Sequence, residues 1–171
     1  MARHYKRPDD YWLLPDPRFQ DKVLSKFINC VMMGGEKATA QRVVYGALEA
    51  IGTRLEKERA VDKEKAESMP RSSIELFNLA LENVRPVVEV RSKRVGGANY
   101  QVPMQLNRRR QQSLSFRWLI EASRAEKGRP MHLRLAKELW DAAKNEGKAV
   151  TTKENTHRMA DANKAFAHFA W

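Results

Sequence analysis

Val88-Glu89-Val90-Arg91-Ser92-Lys93-Arg94-Val95-Gly96-Gly97-Ala98-Asn99-Tyr100-Gln101-Val102-Pro103-Met104-Gln105-Leu106 is the one stretch of the chain that keeps a period of two. Val88, Val90, Ser92 and Arg94 alternate with Glu89, Arg91, Lys93 and Val95, and Tyr100, Val102, Met104 and Leu106 give the return run an apolar side. Gly96-Gly97 supplies the tight turn between them. The stretch predicts a β-hairpin over about 87–106. Pro103 has no N–H to give to a ladder, so the second strand must keep a free edge. No other run reads as a strand, so the hairpin has no sheet to join, and a lone two-stranded ribbon is only marginally stable in water. Its base can pack on helices while its tip projects. A partner that orders a projecting, arginine-rich ribbon explains it better than core packing does.

Outward from the ribbon the period becomes helical. Upstream, Ser72 with Glu75 makes a capping-box pattern, Phe77, Ala80, Leu81 and Val84 form a buried stripe, and Arg85-Pro86 ends that helix. Further back, Asp16-Pro17 offers an N-cap with proline at the first helical position. Phe19, Val23, Leu24, Phe27, Ile28 and Val31 form the first stripe, which Gly34-Gly35 stops. Ala40, Val43, Val44, Ala47, Leu48 and Ile51 form the next, so the first two helices make a short-looped antiparallel pair. Downstream, Leu114, Trp118 and Ala122 point inward from a fourth helix, and Arg110, Arg117 and Arg124 recur on another face. Pro130 can start the fifth, with Ala136, Leu139, Trp140 and Ala143 buried and Gly147 as its stop. Thr151 with Glu154 is a further capping box, opening a sixth helix that runs past Met159, Ala162 and Phe166. The expected fold class is mainly α: a single domain of about six helices with a protruding two-stranded β-hairpin between helices three and four. Residues 1–16 read as an extended basic arm and 17–171 as the helical domain. Glu56 to Glu67 carries five acids and four bases without an aromatic, as a solvated helix extension or linker does, and Met69-Pro70-Arg71 interrupts the helix before it.

The charge says what kind of partner to expect. The 171 residues hold 32 Lys+Arg against 21 Asp+Glu, a formal net charge of +11, and 42% hydrophobic residues suffice for one modest core. Arg85, Arg91, Lys93, Arg94, Arg108, Arg109, Arg110 and Arg117 face one acid, Glu89, so this short stretch carries +7 of the +11. A charge run is ordinarily a solvated face, but like charges at this density repel when unpaired. The concentration suits phosphates. A membrane is the weaker reading of the charge: the longest uncharged apolar run, Phe27 to Gly35, is far shorter than the roughly 20 residues a spanning helix needs. The start of the chain shows no apolar signal region. With Cys30 as its only cysteine the chain has no internal disulfide, and the expected compartment is a reducing cytoplasm. His4, His132, His157 and His168 are not at metal-ligand spacing, and Gly96-Gly97 is too short for a phosphate-cradling loop. Trp118 and Trp140 sit at core positions rather than base-stacking ones. No cofactor and no catalysis are expected.

Leu81-Glu82-Asn83-Val84-Arg85-Pro86, Glu89-Val90, Arg94-Val95-Gly96-Gly97 and Tyr100-Gln101-Val102-Pro103 are similar to the signature of the bacterial small-subunit ribosomal protein seven family. Leu14-Pro15-Asp16-Pro17, Arg117-Trp118, His157-Arg158-Met159-Ala160 and Ala162-Asn163-Lys164-Ala165-Phe166-Ala167-His168 resemble it too, from the arm to the end. The resemblance implies a primary binder of the 3′ major domain of 16S ribosomal RNA that nucleates assembly of the subunit head. It implies a ribbon near the exit-site tRNA and the mRNA, contacts with small-subunit ribosomal proteins nine and eleven, and a monomer when free. The residues expected on ribosomal RNA are then Arg3, Lys6, Arg7, Lys22, Lys26, Lys37, Arg85, Arg91, Lys93, Arg94, Arg108, Arg109, Arg110 and Arg117. Those expected near tRNA and mRNA are Arg94, Val95, Gly96, Gly97, Asn99 and Tyr100, and His157, Arg158, Asn163, Lys164 and His168 are expected to touch RNA or protein. Residues 56–71 depart from the family pattern as an insertion, Asp9, Asp10, Tyr11 and Trp12 dilute the arm, and Phe169-Ala170-Trp171 lacks a terminal arginine. The alternative is a DNA-bending protein, since basic ribbons also enter duplex grooves. Such a protein would self-associate to present paired arms.

Overall fold

A computed structural model of the chain describes residues 13–61 and 70–169. Arg3, Lys6 and Arg7, residues 62–69 of the charged insertion and the last two residues lie outside the described residues.

Asp16 does not cap a helix. Its carboxylate accepts the N–H groups of Arg18 and Phe19, both at 3.1 Å, and the hydroxyl of Tyr45 at 2.6 Å. Gln20 then takes a φ of 54°, which a right-handed helix cannot contain. The first helix, α1 (Lys22–Val31), therefore starts on Asp21, whose carboxylate accepts from Val23 and Leu24. Gly34 and Gly35, both at positive φ, turn the chain into α2 (Lys37–Val61). The alternating charges at Glu56 continue that helix, with Arg54 and Glu58 paired one turn apart at 3.3 Å. Ser72 opens α3 (Ser73–Val84) by accepting from Glu75 N–H, while the Glu75 carboxylate reaches back to Arg71 N–H instead of Ser72.

The ribbon follows as expected. β1 (Val88–Val95) and β2 (Ala98–Gln105) pair antiparallel from Val95–Ala98 to Val88–Gln105, and no further strand occurs among the described residues. Gly96 and Gly97 have φ of 56° and 89°, the signs a two-residue primed turn requires. Counting from the pair that closes the turn, Pro103 opposite Val90 falls at a non-hydrogen-bonded rung. Its missing N–H thus lies on the outer edge, where it costs nothing.

Three α-helices and a short 3-10 helix complete the chain: α4 (Arg108–Ala125), α5 (Met131–Ala143), α6 (Lys148–Ala162), then 3-10 turns over Lys164–Phe169. Phe27 of α1 is the centre of the core, edge-on to Phe77 of α3 at 5.2 Å and to Phe116 of α4 at 5.3 Å. Phe116 is fully buried, whereas Trp118, expected inward, is only partly covered, because α4 turns Leu119, Ile120 and Ser123 to the core. Trp140 is buried, with the Arg54 guanidinium 4.3 Å and the Lys144 ammonium 5.1 Å from its ring centre. Asn83, at the end of α3, donates to the carbonyls of Ala142 and Ala143 and so closes the end of α5.

Two expectations at the α5–α6 junction fail. Gly147 does not stop α5, which ends at Ala143; it precedes α6 with a φ of 93°. Nor does Thr151 open α6, since its hydroxyl donates to Gly147 C=O at 2.9 Å from within the helix. The cap comes from α5 instead: the buried Glu138 carboxylate accepts Ala149 N–H at 2.8 Å. A carboxylate arriving from another helix leaves Thr151 and Glu154 nothing to cap.

Candidate nucleic-acid interface

Glu89 decides how many cations of the basic stretch stay available. It is buried, and its carboxylate accepts from Arg91 Nε at 2.5 Å and from Arg110 Nε at 3.1 Å and Nη2 at 3.0 Å. Two guanidiniums compensate the desolvated charge and join β1 to the start of α4. Arg85 pairs with Glu82 at 2.7 Å, and Lys93 Nζ donates to Phe169 C=O at 2.8 Å. Four of the residues expected on RNA are thus engaged within the protein, and the repulsion that a bare patch would suffer is partly relieved.

Further cations stand on α1 and α4. α4 begins with Arg108, Arg109 and Arg110 behind Asn107, whose side chain accepts from Arg110 N–H at 2.9 Å. Arg108 faces the positive end of the helix dipole, so helix stability gives no reason for a cation there, whereas an arriving anion does. Lys22 and Lys26, one turn apart on α1, line a shallow cavity of about 180 Å³ with Leu13, Val23 and Gln112. Gln112 stands one turn along α4 from Arg108. Lys22 and Lys26 thus line one cavity with α4, the helix on which Arg108 stands one turn from Gln112. None of these three cations, nor Arg94 or Arg117, has an ion pair among the described residues. Lys37 stands exposed at the first position of α2. Arg124 clips α4 to α1 by donating to Val31 C=O at 3.2 Å.

The ribbon divides its side chains between two faces. Cross-strand partners share a face, so Arg91 with Val102 and Lys93 with Tyr100 lie on one, and Ser92 with Gln101 and Arg94 with Asn99 on the other. The first face is not bare. Tyr100, expected near tRNA and mRNA, packs on Phe166 at 5.2 Å and Phe169 at 5.3 Å. The second leaves Ser92, Arg94, Asn99 and Gln101 exposed, and Val95, Gly96 and Gly97 form the tip.

The C-terminal residues also turn inward in part. His157 Nε2 accepts Val87 N–H at 3.2 Å and fixes the root of the ribbon to α6. Asn163 donates to Met159 C=O at 2.8 Å at the end of α6, and His168 Nδ1 lies 2.8 Å from Ala165 C=O with its ring 4.0 Å from Phe169. Arg158 and Lys164 are exposed. Gln112 and the Phe166–Phe169 pair were not singled out in the sequence. Gln112 gives no signal there, but two aromatics three residues apart do, since they eclipse on a 3-10 helix.

Among the described residues no group of His, Cys, Asp and Glu could hold a metal ion, and no helix is long and apolar enough to cross a membrane. A helical body with cations on two helices and a basic ribbon defines the class: a nucleic-acid-binding protein that works by shape and charge. Residues 2–164 match the family described as ribosomal protein S7p/S5e. A small ribosomal subunit protein uS7 of Rhodopirellula baltica is 59% identical over 159 residues, covering 93% of this chain and 94% of that one. The proteins of the same name in Rhizorhabdus wittichii and Novosphingobium aromaticivorans are each 50% identical over the whole of both chains. The chain belongs to the S7p/S5e family of ribosomal proteins, as an RNA-binding constituent and not an enzyme.

Proposed function

We propose that the chain, a structural constituent of the small ribosomal subunit in the cytoplasm, binds the 3′ major domain of 16S ribosomal RNA and nucleates assembly of the subunit head. The observation that carries this is the cavity that Lys22 and Lys26 of α1 line together with Gln112 of α4, one turn from Arg108, none of these three cations having an ion pair among the described residues. Folded RNA is recognised largely by shape, phosphates and 2′-hydroxyls, so cations held on rigid helices need no base-reading code. Lys37, Arg117 and the arm residues Arg3, Lys6 and Arg7 are further cations that this reading assigns to phosphates. The ribbon tip, with Arg94 and Asn99, lies towards the exit-site tRNA and the mRNA. Ribosomal proteins nine and eleven of the small subunit are the protein neighbours, and the free chain is a monomer.

Binding of the purified chain to isolated 3′ major domain RNA, against duplex DNA of similar charge and across a salt series, tests this. RNA-selective binding that survives physiological salt is expected, with a log–log salt slope of about −5 to −7 if roughly eight phosphates are engaged. Equal, salt-labile binding to both nucleic acids, with self-association of the protein, would replace this reading with DNA bending.

A further inference from the structure

We propose that Tyr100, Phe166 and Phe169 form a clasp by which the C-terminal 3-10 helix holds the ribbon in its RNA-binding position, acting on affinity without touching RNA. The proposal rests on the RNA-binding reading above. Its geometry begins with the ladder: Lys93 and Tyr100 are partners on a single rung, close to the Gly96-Gly97 turn. The 3-10 helix grips both. Tyr100 packs on the two phenyl rings, and Lys93 Nζ donates to Phe169 C=O. Phe166 and Phe169 lie nearly parallel, 14° apart with centroids at 6.4 Å, as eclipsed positions of a 3-10 helix allow. The His168 ring lies against Phe169 at 4.0 Å.

The root of the ribbon is held separately, by Glu89 with Arg110, by Val87 N–H on His157 and by the fully buried Val102. Root and clasp are two fixed points along one ribbon, and beyond the clasp only the Arg94–Asn99 and Val95–Ala98 rungs and the turn extend. A two-stranded ribbon held only at its root frays. One held at both points meets its partner already ordered, so that binding does not bear the ordering cost. The clasp covers one face and leaves Ser92, Arg94, Asn99 and Gln101 on the other for the partner. Tyr100, Phe166 and Phe169 are accordingly positioning residues.

Aromatic side chains in RNA-binding proteins also serve as base-stacking platforms, and the experiment separates the two roles. Full-length Phe166→Ala/Phe169→Ala, Tyr100→Ala and Tyr100→Phe proteins are compared with the parent in two measurements. In amide hydrogen exchange of the free protein, Phe166→Ala/Phe169→Ala and Tyr100→Ala should each speed exchange at residues 92–101 by about tenfold, with α3 and α4 unchanged. On 3′ major domain RNA the same variants should lose roughly tenfold in affinity at an unchanged salt slope, because no cation is removed. Combining them should add little, and Tyr100→Phe should match the parent. Unchanged ribbon exchange in Phe166→Ala/Phe169→Ala overturns the clasp. So does an affinity loss confined to Tyr100→Ala, which would make Tyr100 a stacking residue. If the parent shows no preference for RNA, the functional reading fails, and the exchange measurement still decides the clasp.

Discussion

Tyr45 donates its hydroxyl to the buried carboxylate of Asp16, and this one bond ties the segment before α1 to the middle of α2. Burial, and then the bond to Asp16, push the phenol up to about 12. An unfolded chain ionises tyrosine near about 10, so the folded state favours the protonated form. The stability this contributes is complete below about pH 10 and is lost as pH rises from there to about 12. Tyr45→Phe should cost about 1–2 kcal/mol at neutral pH, since Asp16 keeps only the N–H groups of Arg18 and Phe19. It should also flatten the alkaline loss. Denaturant unfolding of both proteins at about pH 8 and about pH 11 measures this, because lysine titration is common to the two. An identical fall in stability in parent and variant would refute the assignment to Tyr45. A sequence cannot show such a bond, for Asp16-Pro17 satisfies the local pattern of a helix start and the hydroxyl that claims Asp16 comes from another helix.

At the scale of elements, the periodicities were legible, and the ends were legible where both partners are local. The stripes of α1 to α3 and the two-residue register of the ribbon follow from side chains that repeat along the chain, and Ser72 caps α3 because both partners are local. The start of α6 depends on Glu138 of the preceding helix, and the cover over Tyr100 depends on Phe166, which read as more of α6, and on Phe169 beyond it. Glu89 counted as one negative charge in the sequence, whereas in the fold it pairs with both Arg91 and Arg110. The α5–α6 junction makes the point measurable. A Cβ on Gly147 would lie 3.0 Å from Glu138 Oε1 and 3.2 Å from Asp141 Cβ, at a φ of 93°. Gly147→Ala should therefore displace the capping carboxylate and strain the backbone, costing about 1–3 kcal/mol. Thr151→Ala and Glu154→Ala, which touch no cap, should stay within about 0.5 kcal/mol. Thermal melts of the three variants suffice, and a larger loss in Thr151→Ala than in Gly147→Ala would return the cap to Thr151.

For the whole molecule, the net charge of +11 predicts that RNA binds but not through which cations, and the fold divides those cations into two kinds. Lys22, Lys26 and Arg108 present charge from two helices without ion pairs among the described residues, whereas Arg91 and Arg110 compensate a buried carboxylate. Removing charge of the first kind should change binding and leave the fold alone. Lys22→Ala/Lys26→Ala/Arg108→Ala should keep the parent melting temperature and make the salt slope on 3′ major domain RNA shallower by about 2 to 3, one released counterion per lost phosphate contact. Removing the second kind should do the reverse. Arg91→Ala/Arg110→Ala leaves Glu89 buried and unpaired, at roughly 2–3 kcal/mol, a discounted figure because both guanidiniums are more than a third exposed. For a domain of this size that lowers the melting temperature by roughly 5–10 °C, and the salt slope should move by less than one unit. Equal slope changes in the two variants would mean that Arg91 and Arg110 exchange Glu89 for phosphate when RNA arrives. The ion pair at the root of the ribbon would then be broken by binding, and Glu89→Gln would raise RNA affinity while it lowered stability.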